Sequence, residues 1–232
     1  MTFWEHLNEL RSRLWRIVLA TVVAMTVCFF FKEQLFSVVL APKPEYLTLI
    51  NVELTQQFLI HMRVALWAGF IVVSPYIIYQ LFAFVAPGLY KTELRLTIRA
   101  VIVAYLLFVA GVLLNYFTIF PITIEFLGSY QVADYVTNTI TLSSYISVLG
   151  VMSLLMGIVF ELPVLCWLLG KLHILKSSFM RRYRRHAIVV ILIVAAIITP
   201  TGDPFTLSLV SVPIYLLWEL SILIVKKTEK KP

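Results

Sequence analysis

The sequence is poor in charge, because only 13% of its 232 residues are Asp, Glu, Lys or Arg while 61% are hydrophobic. Ordinary soluble domains carry roughly one quarter charged residues, so this composition excludes a soluble globule. Cysteine is scarce as well. Cys28 and Cys166 lie inside apolar runs and have neither the spacing of a metal site nor that of a disulfide framework. We interpret both as packing residues.

Motifs of intramembrane catalysis are also missing. The sequence has neither the His-Glu-x-x-His of a metalloprotease nor a Gly-x-Ser-x-Gly-like serine with a histidine in another apolar run. Its four histidines all lie at or outside the borders of those runs. We therefore expect no enzyme, no catalytic residue, no metal site and no cofactor.

The sequence does contain six apolar runs. A helix needs about 20 apolar residues to cross a hydrocarbon core of roughly 30 Å, and most of the runs meet this length. They predict an all-α membrane protein, a single polytopic domain over residues 1–232, with six transmembrane helices. The predicted spans are approximately residues 14–36, 60–85, 98–119, 145–169, 186–199 and 205–225. The fifth run is short, so the fifth and sixth form either a short helical hairpin that thins the bilayer or a re-entrant hairpin.

Lys and Arg set the expected orientation. Sixteen of the nineteen basic residues fall on alternate sides that a six-span count places together, and the positive-inside rule assigns that side to the cytoplasm. Both termini are then cytoplasmic. The sixteen are Arg11, Arg13, Arg16, Lys91, Arg95, Arg99, Lys171, Lys176, Arg181, Arg182, Arg184, Arg185, Lys226, Lys227, Lys230 and Lys231.

Three predicted spans that run in the same direction each contain one proline: Pro75, Pro163 and Pro213. An interior proline removes a helical hydrogen bond and bends the chain, so Pro-bent spans could curve the bundle into a cup. The alternative is that these prolines are merely tolerated, as they often are in transmembrane helices.

Two carboxylates fall inside apolar runs, where an ionised side chain is costly. Glu161 lies eight residues from the cytoplasmic end of the fourth run, about 12 Å deep at the rise of an α-helix, and Glu219 lies nearer the inner surface. One possibility is a proton-coupled secondary transporter or channel with Glu161 and Glu219 as relay carboxylates. Another is that each is protonated and hydrogen-bonded to a neighbouring helix. A third is a receptor or scaffold that binds other proteins.

A receptor needs a recognition site, and the cytoplasmic acids suggest one. The predicted cytoplasmic side carries sixteen basic residues but only four acidic ones: Glu5, Glu9, Glu93 and Glu229. We expect Glu229 to lie in a disordered tail. Glu9 falls on the polar side of a predicted amphipathic helix. The simpler alternatives are an i,i+4 pair of Glu9 with Arg13, and a Glu93 that stabilises the first turn of a helix.

Several segments together resemble one family. His6-Leu-Asn-Glu-Leu-Arg-Ser-Arg-Leu14, Ser74-Pro with Tyr79-Gln, Phe84-Val-Ala-Pro-Gly-Leu-Tyr-Lys-Thr-Glu93, Phe160-Glu-Leu-Pro163, Thr199-Pro with Asp203, and Pro213-Ile-Tyr with Glu219 follow the order found in TatC. TatC is the multi-span core subunit of the twin-arginine protein translocase. The resemblance covers essentially the whole chain. It implies a receptor in the bacterial cytoplasmic (inner) membrane, with six helices in a cupped bundle, and it implies no nucleic-acid partner.

The resemblance also implies residue roles. Glu9 and Glu93 would accept the two arginines of the signal peptide of folded cargo, and Arg13, Phe84 and Leu89 would shape the same surface. Glu161 and Glu219 would mark an intramembrane polar site that engages single-span A- and B-type subunits in homo- and hetero-oligomers, and Asp203 would lie in an external loop. The chain departs from the common pattern at Leu54-Thr-Gln-Gln-Phe58, so no role is carried over to that loop.

Overall fold

The structure, a computed structural model, describes residues 3–85, 94–130 and 139–229. Two predicted site residues, Leu89 and Glu93, lie outside this part of the chain. The described helices are α1 (Phe3–Phe30), α2 (Lys32–Leu40), α3 (Gln56–Val85), α4 (Leu94–Leu114), α5 (Phe120–Ser129), α6 (Leu142–Val159), α7 (Leu162–Lys171), α8 (Ser177–Arg182), α9 (Arg184–Ile198) and α10 (Pro204–Glu229). A π turn, Asn115–Ile119, joins α4 to α5. Two short strands, β1 (Leu49–Ile50) and β2 (Ile140–Thr141), form a parallel pair in which Leu49 faces Ile140.

The prediction of an all-α membrane protein is confirmed. Within the described ranges, five helical stretches are long and apolar enough to cross a membrane: Leu7–Phe30, Gln56–Phe84, Ile98–Ser129, Leu142–Lys171 and Pro204–Glu229. The fifth predicted span corresponds to α9, whose 15 residues extend only about 22 Å. The sixth crossing therefore stays a prediction, as does the cupped shape.

The chain forms two compact units, with the boundary inside α4: residues 1–41 and 51–106 make one unit, and residues 42–50 and 107–232 make the other. In the first unit α1 packs along α3. A Cβ added at Gly69 would lie 2.7 Å from the backbone nitrogen of Met25 and 3.0 Å from its Cα. Only glycine lets the two backbones come this close, which is how helices commonly associate in the absence of a hydrophobic driving force.

In the second unit, side chains from α6, α9, α10 and the π turn form an apolar core. Its buried members are Ile119, Met152, Met156, Ile191, Ala195, Ile198, Val210 and Ile214. Helix α4 joins this packing through Gly111, where an added Cβ would lie 2.7 Å from the carbonyl oxygen of Met156. Cys166 is buried in a neighbouring cluster with Met180, Ile222 and Val225, as expected of a packing residue.

The three prolines have different local effects. Pro163 lies in the first turn of α7, directly after a break that separates α6 from α7 at Phe160 and Glu161. Pro75 and Pro213 instead lie inside the continuous helices α3 and α10. Because Pro75 has no N–H, the carbonyl of Ile71 loses its helical partner, and the hydroxyl of Ser74 donates to that oxygen at 2.7 Å.

The expectation of a disordered tail was wrong for Glu229. Helix α10 continues to this residue, whose Oε1 accepts a hydrogen bond from the backbone N–H of Ser177 at 2.7 Å and whose Oε2 accepts one from the Ser177 hydroxyl at 2.5 Å. The carboxylate thus satisfies a free donor at the start of α8. Sequence hydropathy does not reveal this contact because the two residues are 52 positions apart.

Candidate functional site

Glu9 belongs to a hydrogen-bonded network that links α1 to α3. Arg13 donates to Oε1 of Glu9 from Nη2 at 2.7 Å and from Nε at 3.0 Å. Through Nη1 the same guanidinium donates to Oε1 of Gln80 at 2.9 Å, and Nε2 of Gln80 donates to the hydroxyl of Tyr76 at 2.7 Å. The i,i+4 pair that the sequence offered as the simpler account of Glu9 is therefore present.

The network leaves Glu9 half-satisfied. Both bonds from Arg13 end on Oε1, while Oε2 is shielded from solvent and has no hydrogen-bond partner within the described residues. The side chains of Glu9 and Arg13 are only 23% and 19% exposed. A carboxylate oxygen in such a setting can accept a charge-assisted hydrogen bond, which is roughly twice as strong as a neutral one.

The structure describes only some of the residues that were predicted to bind the signal peptide. It brings Glu9 and Arg13 together on α1, and it places Phe84, half-buried, in the last turn of α3. Gln80, which is 5% exposed, was given no role from the sequence although it formed part of the family motif. The sequence did contain a signal for this residue, because burying a long polar side chain near the end of an apolar helix is costly unless a partner hydrogen-bonds to it.

Glu161 is the carboxylate at the break between α6 and α7. Its backbone N–H donates to the carbonyl of Ile158 at 3.1 Å, and its carbonyl accepts from Val164 and Leu165 at 3.0 Å each. Oε1 of its side chain is buried and lacks a hydrogen-bond partner in the part of the chain that the structure describes. An unsatisfied oxygen at a break in a membrane helix is costly, and such residues commonly mark function.

Glu219 differs from Glu161 because it is already paired. Its Oε2 accepts from Nη2 of Arg184 at 2.7 Å, and its Oε1 accepts from the hydroxyl of Tyr215 at 3.2 Å. The pair ties α9 to α10, and both of its side chains are partly exposed. The geometry therefore separates two residues that the sequence had grouped together.

Asp203 caps the start of α10. Its Oδ1 accepts from the backbone N–H of Thr206 at 2.7 Å, and its Oδ2 accepts from the hydroxyl of Thr201 at 2.6 Å. Partial burial alone would raise the pKa of Asp203, but these hydrogen bonds outweigh that effect and lower it. With Pro204 at the first helical position, this is a well-formed helix start.

A metal centre finds no support in the described ranges, which contain no group of three or more His, Cys, Asp or Glu side chains suited to hold an ion. The described carboxylates can accept hydrogen bonds: Glu9 lies beside an arginine, and Glu161 lies at the break between α6 and α7. This arrangement suits the binding of hydrogen-bond donors.

Comparison with known proteins identifies the family. Residues 5–213 match the family model described as TatC, Sec-independent protein translocase protein. The TatC protein of Carboxydothermus hydrogenoformans is 34% identical over 232 residues, covering 100% of this chain and 95% of the relative. TatCy of Bacillus subtilis is 35% identical, covering 100% of this chain and 91% of its own.

Solved structures agree. The chain matches a crystal structure described as the twin-arginine translocase receptor TatC in DDM with a TM-score of 0.85 and 32% identity, covering 94% of this chain and 98% of that one. A second crystal structure of the same receptor matches with a TM-score of 0.83 and 31% identity. The chain therefore belongs to the TatC family and is a multi-span membrane component of a Sec-independent protein translocase.

Proposed function

We propose that this translocase component is the receptor for twin-arginine signal peptides of folded cargo, and that Glu9 and Glu93 accept the two arginines. The half-satisfied carboxylate of Glu9 carries the proposal. Its Oε1 is held by Arg13, which in turn is held by Gln80, and Oε2 retains its capacity to accept. Phe84 and Leu89 would contact the peptide beside the two acids.

The charge balance explains why two acids are needed. Glu9 and Arg13 together are neutral, so this pair alone gives little net attraction for a cationic peptide on a surface rich in Lys and Arg. A second carboxylate, Glu93, restores a net negative site. A guanidinium can meet carboxylates through paired, directional hydrogen bonds, whereas the ammonium of lysine acts as a point charge, so the site should prefer arginine.

This preference is directly testable by co-purification. We expect the detergent-solubilised protein to retain cargo bearing an Arg-Arg signal and to retain at least about tenfold less of the same cargo with Lys-Lys, since charged hydrogen bonds contribute about 1.5–3 kcal/mol. The two signals carry the same charge, so each controls for the other. Equal recovery would contradict arginine recognition and would suit a transporter that ignores the peptide.

We also propose that both termini face the cytoplasm and that the protein lies in the bacterial inner membrane. The sixteen basic residues that share one predicted side support this orientation. Cysteines introduced near Phe179 or after Lys226 should resist an impermeant thiol reagent in intact cells, while one at Glu45 should react. Labelling of the C-terminal site in intact cells would overturn the orientation.

The intramembrane carboxylate Glu161 is proposed to engage the single-span A- and B-type subunits in hetero-oligomers, next to further copies of this chain. Its buried, unpartnered oxygen at the helix break supports a site that a partner completes. The rival hypothesis, a proton relay through Glu161 and Glu219, is weakened because Glu219 already pairs with Arg184. The ion pair favours a role for Glu219 in fixing α9 to α10.

A further inference from the structure

Among the side chains of residues 107–232 that have a buried polar atom without a hydrogen-bond partner in the described ranges, three lie in the π turn, α5 and α6. These are Oδ1 of Asn115, Oγ1 of Thr123 and the hydroxyl of Tyr145. Asn115 and Thr123 are 0% exposed and Tyr145 is 1% exposed. All three lie in helical stretches long enough to cross a membrane, where lipid offers no hydrogen bonds.

The π turn and the start of α5 contact α6 at Asn115 and Phe120, and Thr123 follows them in α5. Nδ2 of Asn115 donates to the hydroxyl of Ser153 at 2.9 Å, and the rings of Phe120 and Tyr145 meet with centroids 5.0 Å apart. Residue numbers rise along one helix as they fall along the other, so the two run antiparallel. From this register we infer that Thr123, eight residues after Asn115, lies level with Tyr145, eight residues before Ser153.

Several other buried or partly buried hydroxyls of the same unit satisfy their donor within their own helix. Thr199, Ser211 and Ser221 each donate to the carbonyl four residues earlier, at 2.9, 2.6 and 2.7 Å. Thr123 makes no such bond. It follows the π turn of residues 115–119, whose wider turn takes the carbonyls out of α-helical register, and π turns occur frequently at functional sites.

We propose that Asn115, Thr123 and Tyr145 bind water molecules in the interior of this unit. Buried water typically makes two to four hydrogen bonds to polar groups that would otherwise be unsatisfied. An amide oxygen, a threonine hydroxyl and a tyrosine hydroxyl offer both donors and acceptors to it. This proposed water site shares no residue with the proposed signal-peptide site, so the two proposals can be tested independently.

Radiolytic labelling in ¹⁸O-water tests the proposal, because a hydroxyl radical formed from water labels a buried side chain only if that water is held beside it. We expect Tyr145 of the full-length protein to be labelled at least about tenfold faster than Phe108, which is 3% exposed and packs against Gly157. Phe108 is the matched control, since it is equally buried but lies beside apolar neighbours.

One variant checks which group holds the water beside Tyr145. Thr123→Val keeps the shape of the side chain and removes its hydroxyl. It should lower the labelling rate of Tyr145 at least about threefold while its thermal melt stays cooperative. Labelling of Tyr145 within about twofold of Phe108 would overturn the proposal, and so would fast labelling that the folded variant does not reduce.

Discussion

Replacing Glu9 and Glu93 together by alanine is expected to abolish crosslinking of an Arg-Arg signal peptide to the solubilised, folded protein. Each acid should contribute at least about 1.5 kcal/mol, the lower range for hydrogen bonds to charged groups, so each single variant should bind roughly tenfold more weakly. If the two effects add, the double variant loses about a hundredfold. The basic residues around the site would enlarge the loss, because without the acids they repel a cationic peptide.

The control is Glu5→Ala, which makes the same change of charge on the same helix. The competing structural account assigns Glu9 only to its pair with Arg13. On that account Arg13→Ala should match Glu9→Ala in both thermal stability and binding, because each breaks one pair of bonds. If Arg13 instead positions Glu9, Gln80→Leu should weaken binding by loosening Arg13, although both carboxylates remain. Full crosslinking by the folded double variant would exclude the proposed site.

A second large effect is expected at Glu161. Glu161→Gln keeps the size of the side chain and replaces an ionisable group by an amide that is less costly to bury. We expect normal membrane insertion and signal-peptide binding, but export reduced at least about tenfold, the loss that follows from removing one charge-assisted bond to a partner subunit. Export of a folded reporter and co-purification of the A- and B-type subunits measure the two consequences separately.

Glu219→Gln provides the matched comparison, because it makes the same chemical change at the other acid of the apolar runs. Its ion pair with Arg184 is partly exposed, and such pairs contribute about 0–1 kcal/mol, so export should change little. A Glu161→Gln protein that disappears from the membrane would support a purely structural role for Glu161. Equal losses of export in both variants would instead indicate that Glu161 and Glu219 belong to one functional site.

The two carboxylates in the apolar runs show which features of the site can be predicted from the sequence. Their cost in an apolar run singles out Glu161 and Glu219 without any structure. It cannot distinguish them, because what separates them is a partner on another helix: Arg184 reaches Glu219 from 35 positions away, while Oε1 of Glu161 has no partner within the described residues. The contacts of Gln80 and Glu229 could not be predicted from the sequence for the same reason, since the partners of these two residues also lie on other helices.

By itself, the sequence determined that this is a helical membrane protein, roughly where its spans lie and, through the family motifs, that it resembles TatC. It could do so because a membrane helix satisfies its own backbone hydrogen bonds, so length and hydropathy are sufficient local signals. Only the tertiary structure decided that Arg13 joins Glu9 to Gln80, 67 residues from Arg13, and that Glu229 caps α8. Those contacts depend on which helix faces pack together, and packing is set by close approaches such as that of Gly69 to Met25.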